Sequence, residues 1–414
     1  MTTSADRPHA RPIPGATWAG HVFDAGAIAK ELARLWGLVT VAGARSIVPP
    51  PGAEEEGPVG VLTRASTLNL TAVARSRHDA ERVERTVTRL GDLYPSRATI
   101  LVADPEITHH DDPGLDVRVA LLEQESIKGR PAVRFESVVV EVHADDERQL
   151  ASIAEPLLVA DLPDFVWWAA DSTTGSELFT DLTGMADRLI VDTAGAANPA
   201  ADLVHLAGMI ARGNNPPRLS DFAWQRLDPW RTLIAQFFDP PALLPVLDAI
   251  DEVRITYGAA GPDGRTGFTG ALLLAGWLGT RLGWQAPGEL VRPRGDSTQW
   301  RATVRAGSRQ ERREVTLTVK PLPDPVAGCG LATVRLLAGD AGTFRIERFD
   351  PEELATISQA SGAPTSRRMV YAAVPDEAAL LAEELRQFGR DGVYEEALAF
   401  AATLAPDVAL SAPA

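Results

Sequence analysis

The sequence predicts a mixed α/β protein: an N-terminal α+β unit, a central parallel β-α-β unit, and a C-terminal antiparallel meander with closing helices. Three observations lead there. Phe165–Trp168 and Leu189–Val191 are short, wholly apolar runs separated by a helical stretch, as expected of parallel strands buried on both faces. In the last third, four segments alternate apolar and polar residues between Gly-rich turns, the pattern of antiparallel strands with one wet face. In the first third, helical and strand periodicities are interleaved.

The elements follow in order. Residues 1–17 are polar and Pro-rich and are expected to form a disordered arm. Ile28, Leu32, Leu35 and Trp36 share one face of a helix over Asp24–Trp36. After a Pro/Glu-rich loop, residues 61–75 are expected to form a strand, and Ser76-Arg77-His78-Asp79 resembles a capping box that opens a helix carrying Val83, Val87 and Leu90. Ala98–Val102 is a short apolar strand. Alternation at Val117, Val119 and Leu121, and again at Val138, Val140 and Val142, gives two more, before a helix at about 146–158.

The central part reads as the strand Phe165–Trp168, a helix at about 176–186, and the strand Leu189–Val191. Next come a helix with Leu203, Leu206 and Ile210 on one face, a helix opened by Asp228-Pro229, the strand Val253–Tyr257 and a buried helix at Gly270–Leu282. The meander is expected at Trp300–Val304, Val315–Val319, Ala332–Leu336 and Phe344–Ile346, followed by a strand at Arg368–Val374 and helices at about 376–388 and 391–404. The length, 414 residues, suits two or three domains. The division expected is 18–155 for an N-terminal domain and 156–414 for a C-terminal one, with the β-α-β part at 156–285 and the meander with its helices at 286–414.

Composition excludes several function classes. A net charge of −16 argues against general affinity for nucleic acid or an anionic membrane. No apolar run reaches the roughly 20 residues a membrane helix needs, and the first residues lack the apolar stretch of a secretory signal, so a cytoplasmic protein is expected. The single cysteine, Cys329, rules out an intramolecular disulfide and a Cys-based zinc cage. The three lysines, Lys30, Lys128 and Lys320, precede Glu, Gly and Pro, which leaves no Gly-Lys-Ser/Thr phosphate loop. Dinucleotide, nucleophile-elbow, zincin and kinase motifs are also missing. His109-His110-Asp111-Asp112 has metal-ligating side chains, but adjacent residues do not converge easily on one ion, and no metal site is assigned. His205 falls between Leu203 and Leu206 and reads as a packed helix histidine.

Two groups of residues are left as candidates. Asp171 and Asp192 follow the two central apolar runs, where α/β sheets place ligand crevices, with Trp167 and Trp168 beside them. The same aspartates also suit the start of a turn or helix, and both readings stand. The second group is basic. Arg292–Arg348 holds eleven basic and six acidic residues, a balance of +5 that leaves −21 for the rest of the chain. Arg301, Arg305, Arg335 and Arg345 lie on the wet side of the meander, either simply solvated or facing an acidic partner. Trp224, Trp230 and Arg231 join this group as contact candidates, because Trp and Arg are enriched in interface hot spots.

Four blocks carry a family resemblance. They are Asp161-Leu162-Pro163-Asp164-Phe165-Val166-Trp167-Trp168, Ala186-Asp187-Arg188-Leu189-Ile190-Val191-Asp192, Trp224-Gln225-Arg226-Leu227-Asp228-Pro229-Trp230-Arg231, and Ala271–Leu278 with Arg281-Leu282-Gly283-Trp284. In this order they resemble the OpcA family, the glucose-6-phosphate dehydrogenase assembly proteins of cyanobacteria and actinobacteria. The resemblance implies a non-catalytic allosteric activator that binds glucose-6-phosphate dehydrogenase and favours its active oligomer, supporting the oxidative pentose phosphate pathway and NADPH supply. It implies no cofactor and hands over no catalytic residue. Cyanobacterial members are linked to redox control through cysteines. With Cys329 alone, only an intermolecular disulfide or a simple oxidation remains open here. The alternative reading is an enzyme or sensor that binds a sugar phosphate or nucleotide at the crevice, with an arginine such as Arg231 near the phosphate. A third is a silent scaffold.

Overall fold

Along the chain, helices and strands are interleaved. The computed structural model describes residues 10–46, 63–64, 66–91, 93–108, 114–124, 133–213, 215–259, 267–285, 290–292, 299–306, 313–323 and 330–405. His109, His110 and Cys329 fall outside them. The first elements are β1 (Arg11–Val22), α1 (Ala25–Ser46), β2 (Thr63–Arg64), β3 (Leu68–Ala74), α2 (Arg77–Leu90), β4 (Ser96–Asp104), β5 (Leu115–Gln124) and β6 (Val133–His143). Then come α3 (Arg148–Leu157), β7 (Asp164–Trp168), α4 (Glu177–Met185), β8 (Arg188–Val191), α5 (Pro199–Arg212), β9 (Arg218–Asp221), α6 (Phe222–Gln225), α7 (Asp228–Phe237) and α8 (Leu244–Ala249). The remainder is β10 (Glu252–Gly258), α9 (Phe268–Arg281), β11 (Trp300–Ala306), β12 (Arg313–Leu322), β13 (Leu331–Leu337), β14 (Gly342–Asp350), β15 (Glu353–Ala360), β16 (Ser366–Tyr371), α10 (Glu377–Arg386) and α11 (Gly392–Leu404).

Two units form. The first comprises Met1–Ala170, Gly175–Ile190 and Glu377–Phe388; the second comprises Asp171–Thr174, Val191–Asp376 and Gly389–Ala414. In the first unit the strands lie in the order β1-β5-β6-β4-β3-β7-β8, with β2 beside β6. β6, β4, β3, β7 and β8 run parallel, and β1 and β5 form an antiparallel margin. The parallel strands β4, β7 and β8 are buried along nearly their whole length, which is why they read as continuous apolar runs. α2 opens as its sequence suggests: the Ser76 hydroxyl accepts the Asp79 amide N–H at 3.0 Å, satisfying a donor that the helix leaves free.

The structure departs from one sequence expectation at the start of the chain. Residues 11–17, assigned to a disordered arm, belong to strand β1 at the sheet margin. Pro12 and Pro14 are tolerated there because β1 is an edge strand, and its register shifts between Pro12 and Thr17, where Gly15 takes a φ of 76°. Composition shows the prolines but not the partner strand that orders them.

The second unit is built on a seven-stranded sheet in the order β11-β12-β10-β13-β14-β15-β16. This corrects two expectations. The strand Val253–Tyr257 does not continue the parallel set of β7 and β8. It forms β10 of this second sheet, parallel to β12 and antiparallel to β13. The meander is therefore interrupted: β11 pairs β12 and β13 pairs β14, but β10 separates β12 from β13. One face of this sheet, with Val253, Ile255, Val304, Leu317, Val319, Val334, Leu336, Phe344 and Ile346, is buried. Against it lie α9 and α7, where Phe237 and Phe238 stack on Phe344 with ring centroids 5.4 and 4.8 Å apart. α11 packs on α9 so closely that a Cβ on Gly276 would fall onto the backbone carbonyl of Ala397.

Candidate functional site

The residues on the other face of the second sheet are mostly polar, and most are exposed or half-exposed. Period-two alternation puts Arg301 and Arg305 of β11 there, each exposed, with Arg335 of β13 and Arg345 of β14 half-exposed. Register then adds what the sequence did not show. Arg301 lies opposite Thr318, Thr318 opposite Arg254, Arg254 opposite Arg335, Arg335 opposite Arg345, Arg345 opposite Ile357, and Ile357 opposite Arg367. Five arginines from five strands thus fall on one line across the sheet. Arg254 and Arg367 were missed because their places depend on β10 being inserted and on the pairing of β15 with β16. The only local sign was the alternation of Arg254 with Val253 and Ile255.

Local pairing along this line is uneven. Arg254 makes two hydrogen bonds to Glu252 of its own strand, at 2.6 and 2.7 Å, and Arg345 pairs with Glu347 at 2.8 Å. Among the described residues no carboxylate pairs with Arg301, Arg335 or Arg367. The Thr318 hydroxyl, in the same line and only 6% exposed, has no hydrogen-bond partner among the described residues. At the β16 end, Met369 and Tyr371 stand on the same side as Arg367 and are 43% and 72% exposed. Arg368, on the opposite side, reaches Gln236 of α7.

Apart from Asp171, the other candidates are buried or partly buried. Trp167 and Trp168 are each 1% exposed within the first unit, and Trp168 meets Phe179 edge to face at 5.0 Å. Trp224 and Trp230 are buried within the second unit. The Trp224 indole N–H donates to Asp391 at 2.9 Å, and the Arg231 guanidinium stacks 3.5 Å from the Trp224 ring. Burial of Arg231 pushes its pKa down, against the pull of Asp228. With both tryptophans enclosed, the sheet arginines are the accessible part of the partner-contact set. Asp171 is exposed, and its carbonyl accepts the Ala197 N–H. Asp192 caps the turn after it through the Ala194 N–H and forms a bidentate pair with Arg226 at 2.8 and 2.9 Å.

A buried polar cluster surrounds that pair. Asp221 accepts from the Thr193 N–H at 3.1 Å, the Thr193 hydroxyl at 2.5 Å, the Ala223 N–H at 2.8 Å and the Tyr394 hydroxyl at 3.3 Å. Burial, and then the charge of Asp192, push the Asp221 carboxyl up to about 7, with the donors acting in the opposite sense. Every contact named for Asp221 fixes a turn or a helix, α6 and α11 included.

A second carboxylate, Asp202, clamps the segment 172–174. One of its oxygens accepts from the Thr173 N–H, the Thr173 hydroxyl and the Ser172 hydroxyl at 2.9 to 3.1 Å. Burial raises the Asp202 pKa, and these donors oppose the shift. His205 Nδ1 lies 3.3 Å from the same Thr173 hydroxyl. The threonine has one proton and gives it to Asp202, so Nδ1 is the donor in that contact and is not placed to activate the hydroxyl. Among the described residues no group of His, Cys, Asp and Glu could hold a metal ion, and no helix is long and apolar enough to cross a membrane.

Comparison with known proteins places this architecture. Residues 87–208 match a family described as the glucose-6-phosphate dehydrogenase subunit N-terminal domain, and residues 217–398 match the corresponding C-terminal domain. The "Putative OxPP cycle protein OpcA" of Synechocystis sp. is 26% identical over 312 residues, 70% of this chain and 60% of that protein. The protein of the same description from Nostoc punctiforme is 27% identical over 271 residues, 62% of this chain and 54% of its own length. The chain thus spans little more than half the length of these relatives. Among solved structures, the transcriptional regulator Gal80p from Kluyveromyces lactis aligns with 81% of this chain and 87% of its own at 10% identity, with a TM-score of 0.43. The two consecutive domain matches and the OpcA relatives agree with the four sequence blocks, and the chain belongs to the OpcA family.

Proposed function

We propose that this chain is a non-catalytic, cytoplasmic partner of glucose-6-phosphate dehydrogenase that promotes the enzyme's active oligomeric form. The observation that carries the reading is the succession of two domains described as subunit domains of that dehydrogenase, one after the other along the chain. The interior chemistry is consistent with it. Asp202, Asp221 and His205 are engaged in holding turns and helices, and Asp192 and Arg226 are engaged with each other. As an allosteric activator, the chain binds the active conformation of the enzyme better than the inactive one. A tenfold gain in apparent substrate affinity requires about 1.4 kcal/mol of differential binding, within reach of one modest interface. Such a partner raises NADPH supply at the first oxidative step of the pentose phosphate pathway.

The test is the glucose 6-phosphate saturation curve of the same organism's dehydrogenase, with and without this chain. A lower half-saturation or a higher maximal rate, reached at a fixed molar ratio, is expected. An unchanged curve despite stable binding would reduce the role to a scaffold. An unchanged curve with no complex by light scattering would overturn the reading.

A further inference from the structure

The line of arginines across the second sheet conflicts with the stability of the sheet that carries it. Directly opposed like charges on neighbouring strands are destabilising, and Arg254, Arg335 and Arg345 occupy three successive strands in direct opposition. Glu252 and Glu347 relieve the outer two of these, whereas Arg335 in the middle has no carboxylate partner among the described residues. Neighbouring strands lie about 4.8 Å apart, so from β11 to β16 the line spans about 29 Å. Three of its members, Arg301, Arg335 and Arg345, belong to the net-positive stretch Arg292–Arg348 within a chain of charge −16. Its members come from all parts of the unit, because β10 is inserted between β12 and β13.

We infer that this face is the docking surface for the partner protein, with Arg335 at its centre, and that it receives a surface strip of carboxylates. The inference rests on the activator reading above. Charge complementarity selects the occupant. Guanidinium groups bind carboxylates through paired, planar hydrogen bonds, and a strip of Asp and Glu satisfies the charge that Arg301, Arg335 and Arg367 leave open. Met369 and Tyr371 supply the apolar end of the same face. Arg, Tyr and Met are enriched in the centres of protein interfaces, whereas a surface kept only for solubility has no use for a 72% exposed tyrosine beside a methionine. At physiological salt, charges beyond about 8 Å are screened, so this local patch outweighs the repulsion between two acidic proteins.

The experiment uses the full chain and the same organism's glucose-6-phosphate dehydrogenase, with binding followed by interferometry and activation followed kinetically. Arg335→Glu is the first variant. It places a carboxylate between Arg254 and Arg345, so the melting temperature is expected to hold or rise, while affinity falls about tenfold or more. Arg301→Glu, an exposed side chain on β11, is the second variant and is expected to weaken binding as well. Arg85→Glu, on α2 of the first unit, serves as the control and should bind like wild type. Wild-type binding should also weaken steeply between about 0.05 and 0.5 M salt. Wild-type affinity in both sheet variants, or salt-independent binding, would overturn the surface while leaving the activator reading intact. No binding by the wild-type chain would overturn the activator reading itself. Unchanged dehydrogenase binding accompanied by loss of self-association in the variants would assign the face to a second copy of this chain and overturn the carboxylate strip as occupant.

Discussion

The most direct physical consequence of the interior is a pH dependence that traces to one carboxyl group. Asp221 is fully buried, and its pKa is raised from 3.8 to about 7, first by burial and then by Asp192. At about 1.4 kcal/mol per unit, the difference amounts to about 4 kcal/mol between the two protonation states. The sign follows from linkage. Between about pH 4 and 7 the folded chain keeps this proton and the unfolded chain has released it, so stability falls as pH rises through that window. Above the folded value, the ionised group carries the full penalty; below the unfolded value, there is none. Asp202 and Asp164 are raised as well and tilt the wild-type curve in the same direction, so the wild-type slope alone does not isolate Asp221. The Asp221→Asn substitution does. Its amide oxygen can still accept from the Thr193 and Ala223 N–H groups, and it cannot ionise. Urea unfolding, followed by tryptophan fluorescence at pH 4, 6 and 8, should show the variant gaining on wild type as pH rises, by up to about 4 kcal/mol across the range. A wild-type-to-variant difference that stays constant with pH would mean that Asp221 titrates near its ordinary value, and the account of the buried cluster would be refuted.

Other perturbations test the packing and the caps. Gly276→Ala forces α9 and α11 apart at the Ala397 carbonyl and should cost on the order of 2–3 kcal/mol in thermal or urea unfolding. Arg188→Met removes the buried ion pair with Glu384 at 3.6 Å and should destabilise the chain in urea unfolding by roughly 3–5 kcal/mol, much of which the double variant with Glu384→Leu should restore. Ser76→Ala removes the cap of α2 and should cost about 1 kcal/mol, with faster amide exchange in its first turn.

Local signals in the sequence located most elements. The largely buried strands β4, β7 and β8 announced themselves as apolar runs, and Ser76 announced the helix that follows it. The same information failed at β1, whose prolines suggested disorder, because an edge strand is ordered by a partner far along the chain. It missed β9 and β15 as well. β9 is four residues long, and in β15 the run Leu354-Ala355-Thr356 is buried consecutively, so neither shows alternation.

The candidate docking face illustrates this limit most clearly. Alternation along β11, β13 and β14 is enough to say that Arg301, Arg335 and Arg345 share a side of their sheet. It does not say that they share a line, because a line across a sheet is set by register, and register depends on which strands are neighbours. An uninterrupted meander would put β12 beside β13 and leave Arg254 elsewhere. The inserted, parallel β10 instead carries Arg254 into direct opposition with Arg335 and turns scattered charges into a continuous row. The like-charge cost that results comes from the long-range fold and not from any segment, which is why substituting the central arginine is expected to relieve the sheet and impair binding at once.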